Sequence, residues 1–156
     1  MVPFPALVTD QQELAPRVFR LSLRPAVSVA GAVPGQFFMV GVSDSDDPLL
    51  RRPLSFLTAA DQHGKPSLTL IYEVRGRGTL LLSSFRPGRS VSLIGPLGHG
   101  FDLNPPPARA ILVGGGIGAV PLYAAAVALK AAGVDVTFIY GARTGDLLFL
   151  APEFAA

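Results

Sequence analysis

Short apolar runs, broken about every ten to twenty residues by Gly, Pro, Asp or Ser, fill roughly the first hundred positions of the chain. The runs are Leu7-Val8 and residues 18–23, 37–42, 54–57, 68–74 and 91–94, and each reads as a strand. Apolar and polar residues alternate in 18–23, as in a strand with one buried face, and partly so in 68–72. Turn signals at this spacing predict an antiparallel barrel of about six strands. Phe37 and Phe38 fit its core, while Pro34-Gly35 and Gly95-Pro96-Leu97-Gly98 fit turns that enter and leave its strands. Only 79–84 looks helical in this half, a short apolar stretch after a glycine bend.

The pattern changes after Asn104-Pro105-Pro106-Pro107, where three prolines forbid a helix or a central strand. A domain boundary is expected there, with one unit over 1–104 and a second over 108–156. Residues 110–113 form a continuous apolar run, as in a parallel strand buried on both faces. A glycine turn follows at 114–118, then an Ala/Leu-rich helix over 119–132, with Pro121 in its first turn and Gly133 as its stop. Residues 134–140 form a second β-branched strand, which completes one βαβ unit. The expected fold class is therefore β plus α/β: an antiparallel six-stranded barrel followed by an incomplete nucleotide-binding βαβ domain. About fifty residues cannot bury enough surface to stand alone. The barrel could brace them, or a partner could complete them, but the favoured expectation is that the sequence is a truncated form of a longer chain.

Composition narrows the function. Hydrophobic residues make up 49% of the chain, yet no run approaches the ~18 residues of a membrane span. No basic start precedes an apolar block in 1–30, so a cytoplasmic protein with no membrane contact is expected. The net charge is +2 and Lys/Arg residues are dispersed, which disfavours nucleic acid. Nearly all the basic residues are Arg, suited to planar or phosphate anions. With no cysteine, these 156 residues cannot hold a 2Fe–2S cluster or a cysteine zinc site. His63 and His99 both fall in turn contexts, and Asp44, Asp46 and Asp47 lack calcium-loop spacing, so no metal site is expected. No Ser/His/Asp triad or carboxylate pair is visible, and no catalytic side chain is assigned.

Three stretches carry candidate chemistry. Arg51-Arg52-Pro53-Leu54-Ser55 sets a forked cation and a hydroxyl three residues apart, with Pro53 fixing the backbone between them. Arg52 suits a pyrophosphate and Ser55 a flavin ring, while Leu54 suits either that ring or the barrel core. Taken alone, the stretch is also compatible with a strand end bearing exposed arginines. Gly76-Arg77-Gly78-Thr79 opens the short helix, where free N–H groups favour phosphate, although an ordinary glycine turn reads the same. Gly114-Gly115-Gly116-Ile117-Gly118-Ala119 matches G-x-G-x-x-A between a strand and a helix. The acid expected to hold a ribose is missing from the end of the second strand; Asp135 lies at its start. That disfavours the usual dinucleotide arrangement and leaves a nucleotide at the helix start, with Arg143 either beside it or merely solvated.

In order, Pro34-Gly35-Gln36-Phe37, Arg52-Pro53-Leu54-Ser55, Gly76-Arg77-Gly78-Thr79, Gly95-Pro96-Leu97-Gly98-His99-Gly100-Phe101, Gly114-Gly115-Gly116-Ile117-Gly118 and Tyr140-Gly141-Ala142-Arg143 resemble the ferredoxin reductase-type flavoproteins. Within them the chain looks most like the electron transfer subunits of dihydroorotate dehydrogenase B. The resemblance implies FAD on the barrel, held by Arg52, Pro53, Leu54 and Ser55, by Ile71, Tyr72 and Glu73, and by Gly76, Gly78 and Thr79. It implies NAD(H) facing Gly114, Gly115, Gly116 and Gly118, with Arg143 nearby. It further implies a hetero-oligomer with an FMN-containing dihydroorotate dehydrogenase catalytic subunit, passing electrons to NAD⁺ in pyrimidine biosynthesis. Members of that group continue through more βα units to a cysteine cluster, which this sequence lacks. A general NAD(P)H-dependent flavin or ferredoxin reductase, or a non-catalytic remnant of one, are the alternative readings.

Overall fold

The computed structural model describes residues 2–43 and 47–155; Asp44 and Asp46 of the acidic cluster lie outside them. Six strands close into a barrel: β1 (Phe4–Ala15), β2 (Val18–Pro25), β3 (Phe37–Val40), β4 (Arg52–Gln62), β5 (Lys65–Glu73) and β6 (Ser90–Leu97). Their order is β1-β2-β5-β4-β3-β6, and every pairing is antiparallel. Closure leaves no unpaired sheet edge. The fold class read from the sequence is the one observed.

The alternating positions point inward as the sequence pattern requires. Leu21, Leu68, Leu70, Leu93, Phe38 and Val40 are fully buried in one cluster. Phe38 meets Phe56 edge-on at 6.2 Å, and a Cβ on Gly95 would overlap the Phe38 ring. Glycine at 95 therefore makes room for a fully buried aromatic ring in the barrel core. The β4–β5 hairpin turns at His63 and Gly64, both with positive φ, as a two-residue hairpin loop demands. His63 is thus a turn residue, as its context suggested. Gly76 precedes a single short helix, α1 (Arg77–Ser83).

Beyond the barrel, β7 (Arg109–Gly115) pairs in parallel with β8 (Asp135–Gly141). A 3-10 turn at Gly116–Gly118 leads into α2 (Ala119–Ala131), and Gly133, with φ of 79°, reverses the chain after it. A second 3-10 turn, Gly145–Leu147, and a one-turn helix, α3 (Ala151–Ala155), follow β8. This unit is braced by the barrel. Ala15, Val18, Leu57 and Ile71 on the barrel's outer face form one buried cluster with Ala119, Val120, Phe149 and Leu150. α2 and α3 lie on the same side of the parallel pair, and Phe154 packs on Phe138 at 3.9 Å and on Tyr123 at 5.4 Å.

The run at 110–113 was expected to be buried on both faces, and here the structure differs. Ile111 and Val113 are 69% and 67% exposed, and Ile139 beside them 54%. Both helices cover the face carrying Leu112, Phe138 and Tyr140, so the opposite face has no packing partner among the described residues.

Candidate functional site

A cleft of about 420 Å³ opens where the start of β4, the end of β5 and α1 face the turn leading into α2. The β3–β4 register sets the β4 side. Leu54 pairs with Phe38 and turns into the barrel core, so Pro53 and Ser55, its neighbours, face outward. The alternative left open for Leu54 resolves in part: its side chain belongs to the core, and its edge reaches the cleft. Ile71 and Glu73, two apart on β5, share the outward face. Ile117, Val120 and Pro121 form the opposite wall, which is apolar.

The two adjacent arginines have separate duties. Arg51 donates from Nη1 to the Ser92 carbonyl at 2.8 Å and from Nη2 to Ser92 Oγ at 3.0 Å, fastening the start of β4 to β6. Arg52 donates to the Leu50 carbonyl and lays its guanidinium on Gly78, where any Cβ would overlap it. It is half-buried and lines the cleft.

The Gly-Arg-Gly-Thr turn is held by Thr79. Its Oγ1 accepts from the Arg75 N–H at 2.9 Å and the Gly76 N–H at 3.2 Å, and donates to the Gly76 carbonyl at 3.0 Å. Two acceptances and one donation use the whole capacity of a hydroxyl. Thr79 therefore shapes the turn, and its hydroxyl has no bond left for a ligand. Tyr72 is buried: its OH donates to Gln11 Oε1 at 3.1 Å, and Gln11 Nε2 donates to the carbonyls of Leu82, Ser83 and Phe85. Leu82 and Ser83 close α1 and Phe85 follows it, so Gln11 ties the end of that helix to β1. Burial pushes the Tyr72 phenol well above the ordinary range.

A second cleft, about 710 Å³, lies at the carboxyl ends of β7 and β8. Gly115, Gly116 and Ile117 border it on one side, and Gly141, Ala142 and Arg143 on another. The β1–β2 turn contributes Arg17. Open α/β sheets place ligands at this end of their strands. Asp135 sits at the other end, the register partner of Arg109, and is remote from the cleft as its position in the sequence implied.

The residues singled out in the sequence distribute as follows. Arg52, Pro53, Leu54, Ser55, Ile71, Tyr72, Glu73, Thr79 and Gly118 border the first cleft. Glu73, Gly115, Gly116 and Arg143 border the second. Gly76 and Gly78 lie behind the first cleft in the α1 turn, Gly78 under the Arg52 guanidinium. Gly114 faces α2: a Cβ there would come within 3.0 Å of Ala119 Cα and 3.2 Å of Leu122 Cδ1, so this glycine sets how closely strand and helix pack. Sequence reasoning passed over Arg17 and Arg75. Arg75 stood between two recognised stretches, and nothing in the hairpin around Arg17 signals a site.

Residues 6–101 match the family described as the oxidoreductase FAD-binding domain. The chain belongs to that family. It is 43% identical over 151 residues to the dihydroorotate dehydrogenase B (NAD(+)) electron transfer subunit of Geobacillus thermodenitrificans, and 44% identical to that of Bacillus caldolyticus. Each match covers 96% of this chain and 58% of the relative, so the chain spans well under two thirds of these curated proteins. Among solved structures, an NADH-dependent reduced ferredoxin-NADP oxidoreductase superposes with a TM-score of 0.82 at 30% identity, over 96% of this chain and 52% of that one. An Amycolatopsis cytochrome P450 reductase gives 0.81 at 27%, over 99% and 47%. Among the described residues, no group of three or more His, Asp or Glu could hold a metal, and no helix is long and apolar enough to cross a membrane.

Proposed function

We propose that this FAD-family chain acts as the flavin-binding part of an electron transfer subunit of the dihydroorotate dehydrogenase B type. Residues 1–104 form the FAD unit and 108–156 the beginning of an NAD(H) unit. The observation that carries this reading is the first cleft. It brings residues from β4, β5 and α1, distant in sequence, onto one surface, with a cation at one end and an apolar wall along the other side.

The residues fit FAD. Arg52 brings guanidinium donors for a pyrophosphate, and Gly78, lacking a Cβ, leaves the space in which that guanidinium lies. Ser55 faces the cleft with a hydroxyl suited to a ring nitrogen or carbonyl. Ile71, Val120 and Pro121 exclude water from a planar ring. Bound FAD would supply exchange of electron pairs with a nicotinamide and of single electrons with another centre; the protein supplies placement. The second cleft, with Gly115, Gly116 and Arg143, suits a nicotinamide dinucleotide. A catalytic subunit carrying FMN is the expected partner, in a hetero-oligomer, and the redox step would be dihydroorotate oxidation coupled to NAD⁺ reduction. The names of the relatives at 43% and 44% identity support that partner.

The test is a visible absorption spectrum of the purified chain, with the flavin identified after denaturation. Close to one FAD per chain is expected. A colourless protein that takes up no added FAD overturns the reading. Co-purification with a dihydroorotate dehydrogenase catalytic subunit separates this role from that of a general NAD(P)H-dependent reductase.

A further inference from the structure

Glu73, the last residue of β5, and Arg75, two positions on, each border both clefts. Arg75 Nε and Nη2 donate to the same oxygen, Glu73 Oε2, at 3.0 and 2.7 Å. The backbone between and around them is pinned. The Arg75 N–H donates to Thr79 Oγ1, and the Arg17 guanidinium holds the Val74 carbonyl from Nε and Nη2 at 3.0 and 2.6 Å. The Arg75 head is nevertheless 73% exposed, and Glu73 28%. A fixed root with an open cationic head describes a side chain that can change partners without disturbing the fold. Exposed ion pairs add little to stability. A carboxylate on the wall of a dinucleotide cleft also opposes the ligand's charge. Neither stability nor simple attraction accounts for this pair at this place.

We propose that Glu73 and Arg75 form a charge latch that sets the affinity of the cleft for the pyrophosphate of a dinucleotide. Arg75 leaves Glu73 for a ligand phosphate, and Glu73 lowers affinity by competing for that guanidinium. The inference rests on the flavin reading above, and FAD is the probe.

FAD is titrated, by quenching of flavin fluorescence, into the wild-type chain, Glu73→Gln, Arg75→Ala and the double variant. Glu73→Gln is expected to bind FAD about two- to fivefold more tightly, and Arg75→Ala more weakly by a similar factor. In the double variant the gain from Glu73→Gln should shrink, because no guanidinium remains to be released. Thermal melts confirm folding, and Arg75→Gln replaces Arg75→Ala if the latter does not fold. A Glu73→Gln protein that binds no tighter, an Arg75 variant that binds as well as wild type, or a gain fully kept in the double variant overturns the latch while leaving the flavin reading intact. A wild-type chain that takes up no FAD overturns both.

Discussion

The guanidinium of Arg52 occupies the space that a Cβ on residue 78 would fill. The cation is therefore held by the absence of a side chain on α1 as much as by its bond to the Leu50 carbonyl. Gly78→Ala separates fold from site. The group in the way is the far end of a flexible arginine, so the barrel needs no adjustment, and alanine in a helix gains up to about 1 kcal/mol over glycine. The displaced arginine would lose the charge-assisted bonds proposed for it to a pyrophosphate, each about 1.5–3 kcal/mol. Gly78→Ala should melt at or above the wild-type temperature yet bind FAD roughly ten- to hundredfold more weakly. Calorimetric titration beside a thermal melt checks both halves.

Arg51 and Arg52 are predicted to respond oppositely to truncation. Arg51 donates to Ser92 of β6 and borders neither cleft, so Arg51→Ala should lower stability by about 1–3 kcal/mol and leave FAD affinity near wild type. Arg52→Ala should do the reverse, with FAD binding about ten- to hundredfold weaker and little change in denaturant midpoint. Equal loss of affinity in both variants would refute the division of labour.

The barrel was legible because each strand had to alternate or run apolar to fill its core. The runs around Leu21, Leu70 and Leu93 did so. β1 was legible only at Leu7-Val8, because residues past Val8 are mostly exposed and polar; pairing with β2 extends the strand to Ala15. Of the first cleft, residues 52–55 and Thr79 were legible as short motifs, whereas Ile71, Tyr72 and Glu73 came only through the family resemblance. Arg17 and Arg75 were not legible, since a hairpin turn and a strand end become cleft walls only once the barrel closes and α2 docks. Nor could periodicity show that Gly114 serves helix packing while Gly115 and Gly116 face the cleft, since three consecutive glycines carry no side-chain pattern to tell them apart.

The β7–β8 pair offers a contrast within one small sheet. Phe138 faces α2 and α3 and stacks on Phe154, while Val113, on the opposite face, is 67% exposed. Phe138→Ala should destabilise the chain by about 3 kcal/mol. Val113→Thr should change stability by no more than about 0.5 kcal/mol. Urea unfolding of the two variants measures this directly. A large loss from Val113→Thr would mean that the exposed face is covered in solution.

Tyr72 gives the structure a pH dependence at the alkaline end. Its buried phenol resists ionisation, so its pKa lies above the ordinary value of 10.0. Tyr140 shifts the same way, first through burial and then through the nearby Glu153 carboxylate, against a backbone hydrogen bond that lowers it. Above pH 10 the unfolded chain releases these protons while the folded chain keeps them. The unfolded state then binds fewer protons, so stability falls as pH rises. The contribution is complete below pH 10 and is lost progressively above it. Tyr72→Phe removes the titration along with the bond to Gln11. It should cost about 1 kcal/mol at neutral pH, where the Gln11 oxygen loses its donor. It should also flatten the decline above pH 10, so that the wild-type and variant curves converge as pH rises. Urea midpoints at intervals from pH 7 to 11 test this, and parallel curves would show that the phenol ionises freely in the folded barrel.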